Sequence, residues 1–193
     1  MVRIVSGTAG GRRLAVPPHG TRPTSQRVRE AVFSTLQARR GGGFAGARVL
    51  DLYAGSGALG LEALSRGAAH VRFVESDRRT AAVLRRNIAA LGLAGEEGTA
   101  EVLTADVLAV LRGQHGQPGQ PYDVVFADPP YALADAALTK LLEALVGGHW
   151  LGPDGVIVLE RPVRAAPPVW PRGIRPLTDR RYGDTAVYYG CAP

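Results

Sequence analysis

The stretch Asp128-Pro129-Pro130-Tyr131 contains the residue types of a small reaction site. It follows an apolar run, residues 122–127, that is typical of a buried parallel strand. A carboxylate accepts hydrogen bonds from an amine, two prolines stiffen the backbone without donating an N–H, and a tyrosine ring offers a flat surface. Because open α/β sheets bind ligands at the carboxyl ends of their strands, the stretch predicts chemistry on the exocyclic amine of a nucleobase. An ordinary Pro-Pro turn is the alternative interpretation.

A second candidate site is the glycine-rich segment 51–60, DLYAGSGALG, which joins a predicted strand to a predicted helix. Its glycines allow a tight turn and a close approach of the backbone to a ligand. The spacing Gly55-x-Gly57-x-x-Gly60 also satisfies the dinucleotide fingerprint, so the glycines alone do not identify the cofactor. Asp51 does discriminate, because a carboxylate repels a pyrophosphate and attracts an amino group or a sulfonium. The segment therefore predicts S-adenosylmethionine as the cofactor.

Further carboxylates follow the next predicted strands. Glu75 is placed to accept hydrogen bonds from two ribose hydroxyls, a role that NAD sites also use. Asp106 is placed either to accept from an adenine amino group or to cap the following helix, and both roles can coexist. We predict that the cofactor contacts come from residues at these strand ends: Asp51, Tyr53, Gly55, Ser56, Gly57, Glu75, Asp106 and Asp128.

Strand and helix patterns alternate from residue 47 onward. Alternation of this kind builds a parallel sheet with right-handed crossovers. The predicted strands are 48–53, 71–75, 101–104, 122–127 and 156–159, and the intervening helices start near residues 58, 77, 107 and 135. The last two predicted strands, 175–182 and 185–191, flank Gly183-Asp184 and form an antiparallel hairpin.

The N-terminal segment is predicted to form an extension, residues 1–43, ahead of a main domain, residues 44–193. Residues 3–6 and 12–16 predict a β-hairpin, and a helix is expected from Thr24 or Ser25 to about Arg39. Gly41-Gly42-Gly43 is typical of a hinge or linker.

The positive charge of the chain is concentrated in this extension. The whole chain of 193 residues carries a formal charge of +6, whereas residues 1–40 contain eight arginines and one acid. A localised basic segment favours a nucleic acid, because phosphate contacts supply most sequence-independent affinity. A solvated surface that only caps the sheet is the alternative. The candidate RNA contacts are Arg12, Arg13, Arg22, Arg27 and Arg29.

The composition favours a single globular domain. Hydrophobic residues make up 46% and charged residues 21% of the chain, and no apolar run is long enough for a membrane span. One cysteine, Cys191, allows no internal disulfide, and no spacing of cysteine and histidine suggests a metal site. We therefore expect a metal-free protein of the cytoplasm.

The chain resembles the Class I S-adenosylmethionine-dependent methyltransferases that methylate amines, whose signature is Asp/Asn-Pro-Pro-aromatic after the fourth strand. More narrowly it resembles the RsmD-type family through residues 10–14, 22–24, 27–30 and 51–68. The resemblance implies a Rossmann-like α/β fold with a mostly parallel seven-stranded sheet and a C-terminal antiparallel hairpin. It implies methyl transfer to N2 of a guanine in 16S ribosomal RNA, with Asp128, Pro129, Pro130 and Tyr131 as the catalytic residues. The RNA is expected within a small-subunit particle or an assembly intermediate, and the protein is expected to be a monomer.

Other functions use parts of the same pattern. Adenine-N6 methyltransferases of DNA or RNA and protein glutamine methyltransferases carry related tetrapeptides, although sequence-specific DNA enzymes usually have an extra domain. An NAD-dependent oxidoreductase accounts for the glycines and Glu75 but not for Asp51 or the tetrapeptide. A non-catalytic RNA-binding module leaves both candidate sites unexplained.

Overall fold

The computed structural model describes residues 2–17, 25–41, 43–93, 98–116 and 119–193. A small antiparallel pair, β1 and β2, precedes a seven-stranded sheet. The strands are β1 Val2–Arg3, β2 Arg13–Leu14, β3 Arg48–Leu52, β4 His70–Val74, β5 Thr99–Leu103, β6 Tyr122–Ala127, β7 Leu151–Pro162, β8 Arg175–Tyr182 and β9 Thr185–Cys191. The helices are α1 Gln26–Arg40, α2 Ala58–Ser65, α3 Arg78–Leu91, α4 Val107–Leu111 and α5 Asp135–Gly147.

The predicted α/β architecture is confirmed. The strand order of the large sheet is β5-β4-β3-β6-β7-β9-β8, with β9 antiparallel to both of its neighbours. The chain moves outward from β3 to β5, then returns to place β6 on the other side of β3. This reversal creates a switch point between β3 and β6, which is where open α/β sheets form a ligand crevice.

Local sequence signals account for the helix boundaries. Ser25 caps α1, Asp77 caps α3 and Asp106 caps α4, each by accepting a hydrogen bond from a backbone N–H three residues later. The predicted start of α1 at Thr24 lies outside the described residues, as does Gly42 of the predicted linker. No helix in the described ranges is both long and apolar enough to cross a membrane.

The largest difference from the predicted strands is β7, which runs over twelve residues instead of the predicted 156–159. Gly152, Asp154 and Gly155 indicate a loop by composition, and Asp154 does adopt a positive φ of 57°. Pairing with β6 and β9 nevertheless extends the strand in both directions across a register irregularity. Ladder hydrogen bonds from two neighbours override local propensity here.

The N-terminal extension shares its hydrophobic core with the sheet. Ile4, Val32, Phe33 and Leu36 belong to the same buried cluster as Phe126. The extension therefore has no separate core, and the domain boundary near residue 43 stays a prediction.

A polar clamp attaches the extension to α2. Glu62 is fully buried and accepts hydrogen bonds from the backbone N–H groups of Val5, at 2.6 Å, and Ser6, at 3.0 Å. It also pairs with Arg66 at 2.7 Å. Ser65 accepts from the N–H of Ala9 at 2.9 Å. Because buried polar groups must be paired, this clamp determines where the extension docks.

Replacing Glu62 by alanine orphans two backbone donors and the Arg66 guanidinium. We expect Glu62→Ala to lower the free energy of unfolding by about 3 kcal/mol or more. Glu62→Gln keeps one acceptor and should lose less. Glu143→Ala, on the exposed face of α5, is the matched control and should stay within about 0.5 kcal/mol of wild type. Urea denaturation measures all three, and equal losses for Glu62→Ala and Glu143→Ala would contradict the clamp.

Candidate active site

The two candidate sites lie side by side at the switch point. In the register of β3 and β6, Asp51 pairs with Phe126 and Leu52 pairs with Ala127. The glycine loop, residues 53–57, and the tetrapeptide that begins at Asp128 therefore leave adjacent strands at the same edge of the sheet. The structure brings together two motifs that are separated by at least 71 positions in the sequence.

The glycines of the loop have different physical roles. Gly55 has a φ of 58°, and a Cβ at this position would point into open space with only the Tyr53 carbonyl oxygen within 4 Å, at 3.9 Å. Gly60 lies in α2, and a Cβ there would come within 2.2 Å of the Phe73 ring. Gly60 is thus required for packing of α2 on β4, whereas Gly55 leaves room for a ligand beside the backbone.

Two acidic side chains accept hydrogen bonds from the backbone of the glycine loop and of α2. The N–H of Gly60 donates to Asp51 Oδ2 at 2.8 Å, and the N–H of Gly55 donates to Glu75 Oε2 at 3.0 Å. Glu75 Oε1 accepts from the N–H of Asp77 at 2.8 Å. Glu75 is half-buried, so part of its surface is still available to a ligand.

Asp51 is buried at the end of β3. It is 2% exposed, so it offers almost no surface for direct contact with a cofactor. Burial raises the pKa of its carboxyl to about 8; the Gly60 hydrogen bond opposes the rise, and the charges of Asp128 and Glu75 add to it. The carboxyl is mainly protonated at pH 7. Asp51 thus supports the first turn of α2 through Gly60, and its predicted electrostatic selection of a cationic cofactor stays a prediction.

Tyr53 and Asp106 flank the loop. Tyr53 has a φ of 59°, an unfavourable conformation for a residue with a side chain, and it is half-buried. Burial, followed by the charge of Asp106, raises the pKa of Tyr53 to about 12, so its hydroxyl stays protonated. Asp106 is exposed and caps α4 through the N–H of Ala109 at 2.9 Å. The cap is confirmed, and the contact with adenine stays a prediction.

The residues of the tetrapeptide differ in exposure. Asp128 is half-buried, Pro129 is buried and Tyr131 is 51% exposed, although most large apolar side chains are buried. The carbonyl of Pro130 accepts from the N–H of Leu133 at 2.8 Å, which closes the turn. The turn leaves the Tyr131 ring at the surface, and its contact with a flat substrate stays a prediction.

Arg161 forms an ion pair that the sequence pattern did not predict. It is 7% exposed and donates to Asp135 Oδ1 at 2.8 Å, at the start of α5. The ion pair joins the end of β7 to the helix that follows the tetrapeptide. Nothing in the local pattern pointed to it, because the two residues are 26 positions apart.

The arginines predicted to contact RNA differ in their exposure and in their hydrogen-bond partners. Arg13 and Arg27 are exposed, and Arg22 lies outside the described residues. Arg12 donates to the backbone carbonyls of Ala90 and Leu91 at the end of α3. The prediction is wrong for Arg29, which is 1% exposed and donates to the Arg3 carbonyl at 2.8 Å, so a phosphate cannot reach it.

The strand order, the glycine loop at the switch point and the adjacent Asp-Pro-Pro-Tyr turn define a Rossmann-like methyltransferase. The yhhF protein of Escherichia coli, which is provisionally named a methyltransferase, has a solved structure that matches with a TM-score of 0.82 and 32% identity, covering 99% of this chain and 97% of that one. A sequence model of the family described as conserved hypothetical protein 95 matches residues 2–190, and the chain belongs to this family.

Two relatives whose names state a function are similar to this chain over most of its length. The chain is 37% identical over 171 residues to the ribosomal RNA small subunit methyltransferase D of Escherichia coli K12, covering 88% of this chain and 79% of that protein. It is 40% identical over 162 residues to the protein of the same name from Haemophilus influenzae, covering 82% and 78%. The predicted family, fold and enzyme class are confirmed.

The buried carboxyl of Asp51 should make stability depend on pH. Its pKa is about 8 in the folded protein against an ordinary 3.8, so between these values the folded state retains a proton that the unfolded state releases. Stability therefore falls as pH rises through this window, by about 1.4 kcal/mol per pH unit from this group. Asp51→Asn should remove that slope, as measured by urea denaturation from pH 5 to 8. Identical slopes in both proteins would contradict the shifted pKa.

Proposed function

We propose that the protein transfers a methyl group from S-adenosylmethionine to the exocyclic N2 amine of a guanine in 16S ribosomal RNA. The observation that carries the proposal is the β3–β6 register, which puts the Asp128-to-Tyr131 turn beside the glycine loop. The names of the relatives support ribosomal RNA as the substrate. The proposed substrate is this RNA in a small-subunit particle or an assembly intermediate in the cytoplasm.

The glycine loop suits the proposed cofactor. The cofactor supplies an electrophilic methyl group on a sulfonium. Gly55 leaves open space at the loop, and Glu75 is placed at the end of β4 to accept hydrogen bonds from ribose hydroxyls. Asp106 is exposed after β5, where it can accept from an adenine amino group. The backbone of Ser56 and Gly57 forms part of the loop. Asp128, which follows β6, is the last of the proposed cofactor contacts.

Asp128 is proposed to orient the amine. The lone pair of a guanine amine is delocalised into the ring, which makes it a poor nucleophile. Hydrogen bonds from its two N–H groups to the Asp128 carboxylate and the Pro129 carbonyl favour a pyramidal nitrogen that aims its lone pair at the methyl carbon. Charge-assisted hydrogen bonds contribute about 1.5–3 kcal/mol each, whereas alignment of two reactants contributes about 7–11 kcal/mol. Orientation is therefore the larger effect.

The proton leaves after the methyl group arrives. S-adenosylmethionine, held at the glycine loop and Glu75, would supply the methyl group to the nitrogen, and the electron pair of its carbon–sulfur bond would return to sulfur. The methylated nitrogen is then cationic and acidic. Asp128 accepts its proton, so the carboxylate acts first as a positioning group and then as a base.

Tyr131 is proposed to stack on the target base. Its exposed ring lies at the turn that follows Asp128, and base–aromatic stacking contributes about 1–3 kcal/mol. A guanine must be unpaired or extruded to reach this site. Arg13 and Arg27, both exposed, are proposed to hold the RNA phosphates nearby.

We expect Asp128→Ala to lower kcat by at least about a hundredfold, because it removes both orientation and proton acceptance. Asp179→Ala, an exposed position on β8, is the control and should keep wild-type activity. The assay measures labelled methyl transfer to small-subunit particles from cells that lack this activity, and mass spectrometry identifies the product. Wild-type rates for a folded Asp128→Ala, or a product other than N2-methylguanine, would overturn the proposal.

Tyr131→Ala should raise the KM for RNA about tenfold, since stacking is lost, and leave the cofactor Kd unchanged. Tyr131→Phe retains the ring and should behave like wild type. Methylation kinetics measure the first effect and calorimetry with S-adenosylhomocysteine the second. A parallel loss of cofactor affinity in Tyr131→Ala would count against stacking on the base.

A further inference from the structure

Asn87 is a buried polar residue on an otherwise apolar helix face. It is 4% exposed and lies on α3 between Leu84 and Leu91, which are 0% and 5% exposed. The spacings of three and four residues place all three side chains on the same face. An amide in such a stripe costs free energy unless every polar atom is paired.

The Asn87 side chain joins the N-terminal extension to the glycine loop. Its Oδ1 accepts from the N–H of Ala15 at 2.9 Å, and its Nδ2 donates to the Ala15 carbonyl at 2.9 Å. The same Nδ2 donates to the carbonyl of Ser56, also at 2.9 Å. One side chain thus bonds the segment that follows β2 and the loop assigned to the cofactor.

Both donor and acceptor atoms are needed for this arrangement. A carboxylate only accepts, and an apolar side chain does neither, so a carboxamide is suited to bridging one N–H and two carbonyls. Any movement of Ala15 away from α3 would leave buried polar atoms unpaired.

The basic residues of the extension adjoin this bridge. Arg13 in β2 precedes Ala15 by two positions and is exposed, and Arg12 is tied to the last carbonyls of α3. An exposed basic side chain thus lies two positions from the residue that Asn87 bonds.

We propose that Asn87 is a positioning residue that couples RNA binding by the extension to cofactor binding by the glycine loop. The inference rests on the proposed function. A ligand that holds the extension fixes Ala15 against α3 and, through the shared amide, the Ser56 carbonyl, so the second ligand binds a loop that is already in place. Coupling of this kind is reciprocal, because each ligand raises the affinity of the protein for the other by the same factor.

The test measures the Kd of labelled S-adenosylhomocysteine, which permits no turnover, with and without small-subunit particles from cells that lack this activity. In wild type the particles should lower this Kd about fivefold or more. In Asn87→Ala the Kd without particles should rise about fivefold or more, and the particles should no longer change it.

Val83→Ala is the matched control, since Val83 is a buried residue of the same helix, 6% exposed. It should lose stability but keep the coupling. Asn87→Asp retains an acceptor for the Ala15 N–H but places a carboxylate next to two carbonyl oxygens. We expect this variant to lose the coupling as well. It replaces Asn87→Ala in the test if Asn87→Ala does not fold.

The outcomes separate the two proposals. No binding of S-adenosylhomocysteine by wild type contradicts the proposed function. Binding without any effect of the particles in wild type, or with the same effect in wild type and the Asn87 variants, overturns the role of Asn87 alone. Loss of coupling in Val83→Ala as well would show a general effect of stability and would also overturn it.

Discussion

Three hydrogen bonds to the backbone of the glycine loop and the first turn of α2 organise the site. Asp51 accepts from Gly60, Glu75 accepts from Gly55 and Asn87 donates to Ser56, so each bond comes from a different element. A loop that packs against a sheet cannot leave its backbone groups unpaired, and side chains supply partners that the strands cannot. The position of the loop follows from these contacts, and the β3–β6 register then determines its distance from the tetrapeptide.

This constraint explains why a carboxyl tolerates burial at Asp51. The bond to Gly60 holds the first turn of α2 over β3, and burial raises the pKa to about 8, so the group is mainly neutral at pH 7. Glu75 and Asp128, at the ends of the neighbouring strands, are only partly buried. The acidic residues around the loop therefore differ in burial, and Glu75 combines support of the loop through Gly55 with surface that is still exposed.

The same helices carry the loop and the N-terminal extension. Helix α2 begins at the glycine loop and ends at the clamp of Glu62 and Ser65, and α3 contacts the extension through Asn87. Movement of the extension therefore acts on the two helices that border the loop. The fold places the basic segment and the reaction site in one mechanically connected unit, which suits an enzyme whose large substrate must be aligned with a small cofactor.

The sequence by itself determined the alternation of strands and helices, the helix caps, the glycine loop and the Asp128-to-Tyr131 turn, because periodicity and turn chemistry are local. Only the tertiary structure decided that Arg29 is buried, that Asp51 supports the loop, and that Asn87 joins Ala15 to Ser56. Isolated polar residues in apolar stripes, such as Asn87 and Glu62, were visible signals, but their partners lie 72 and 57 positions away. Contacts over such separations depend on how the elements pack, which local patterns do not encode.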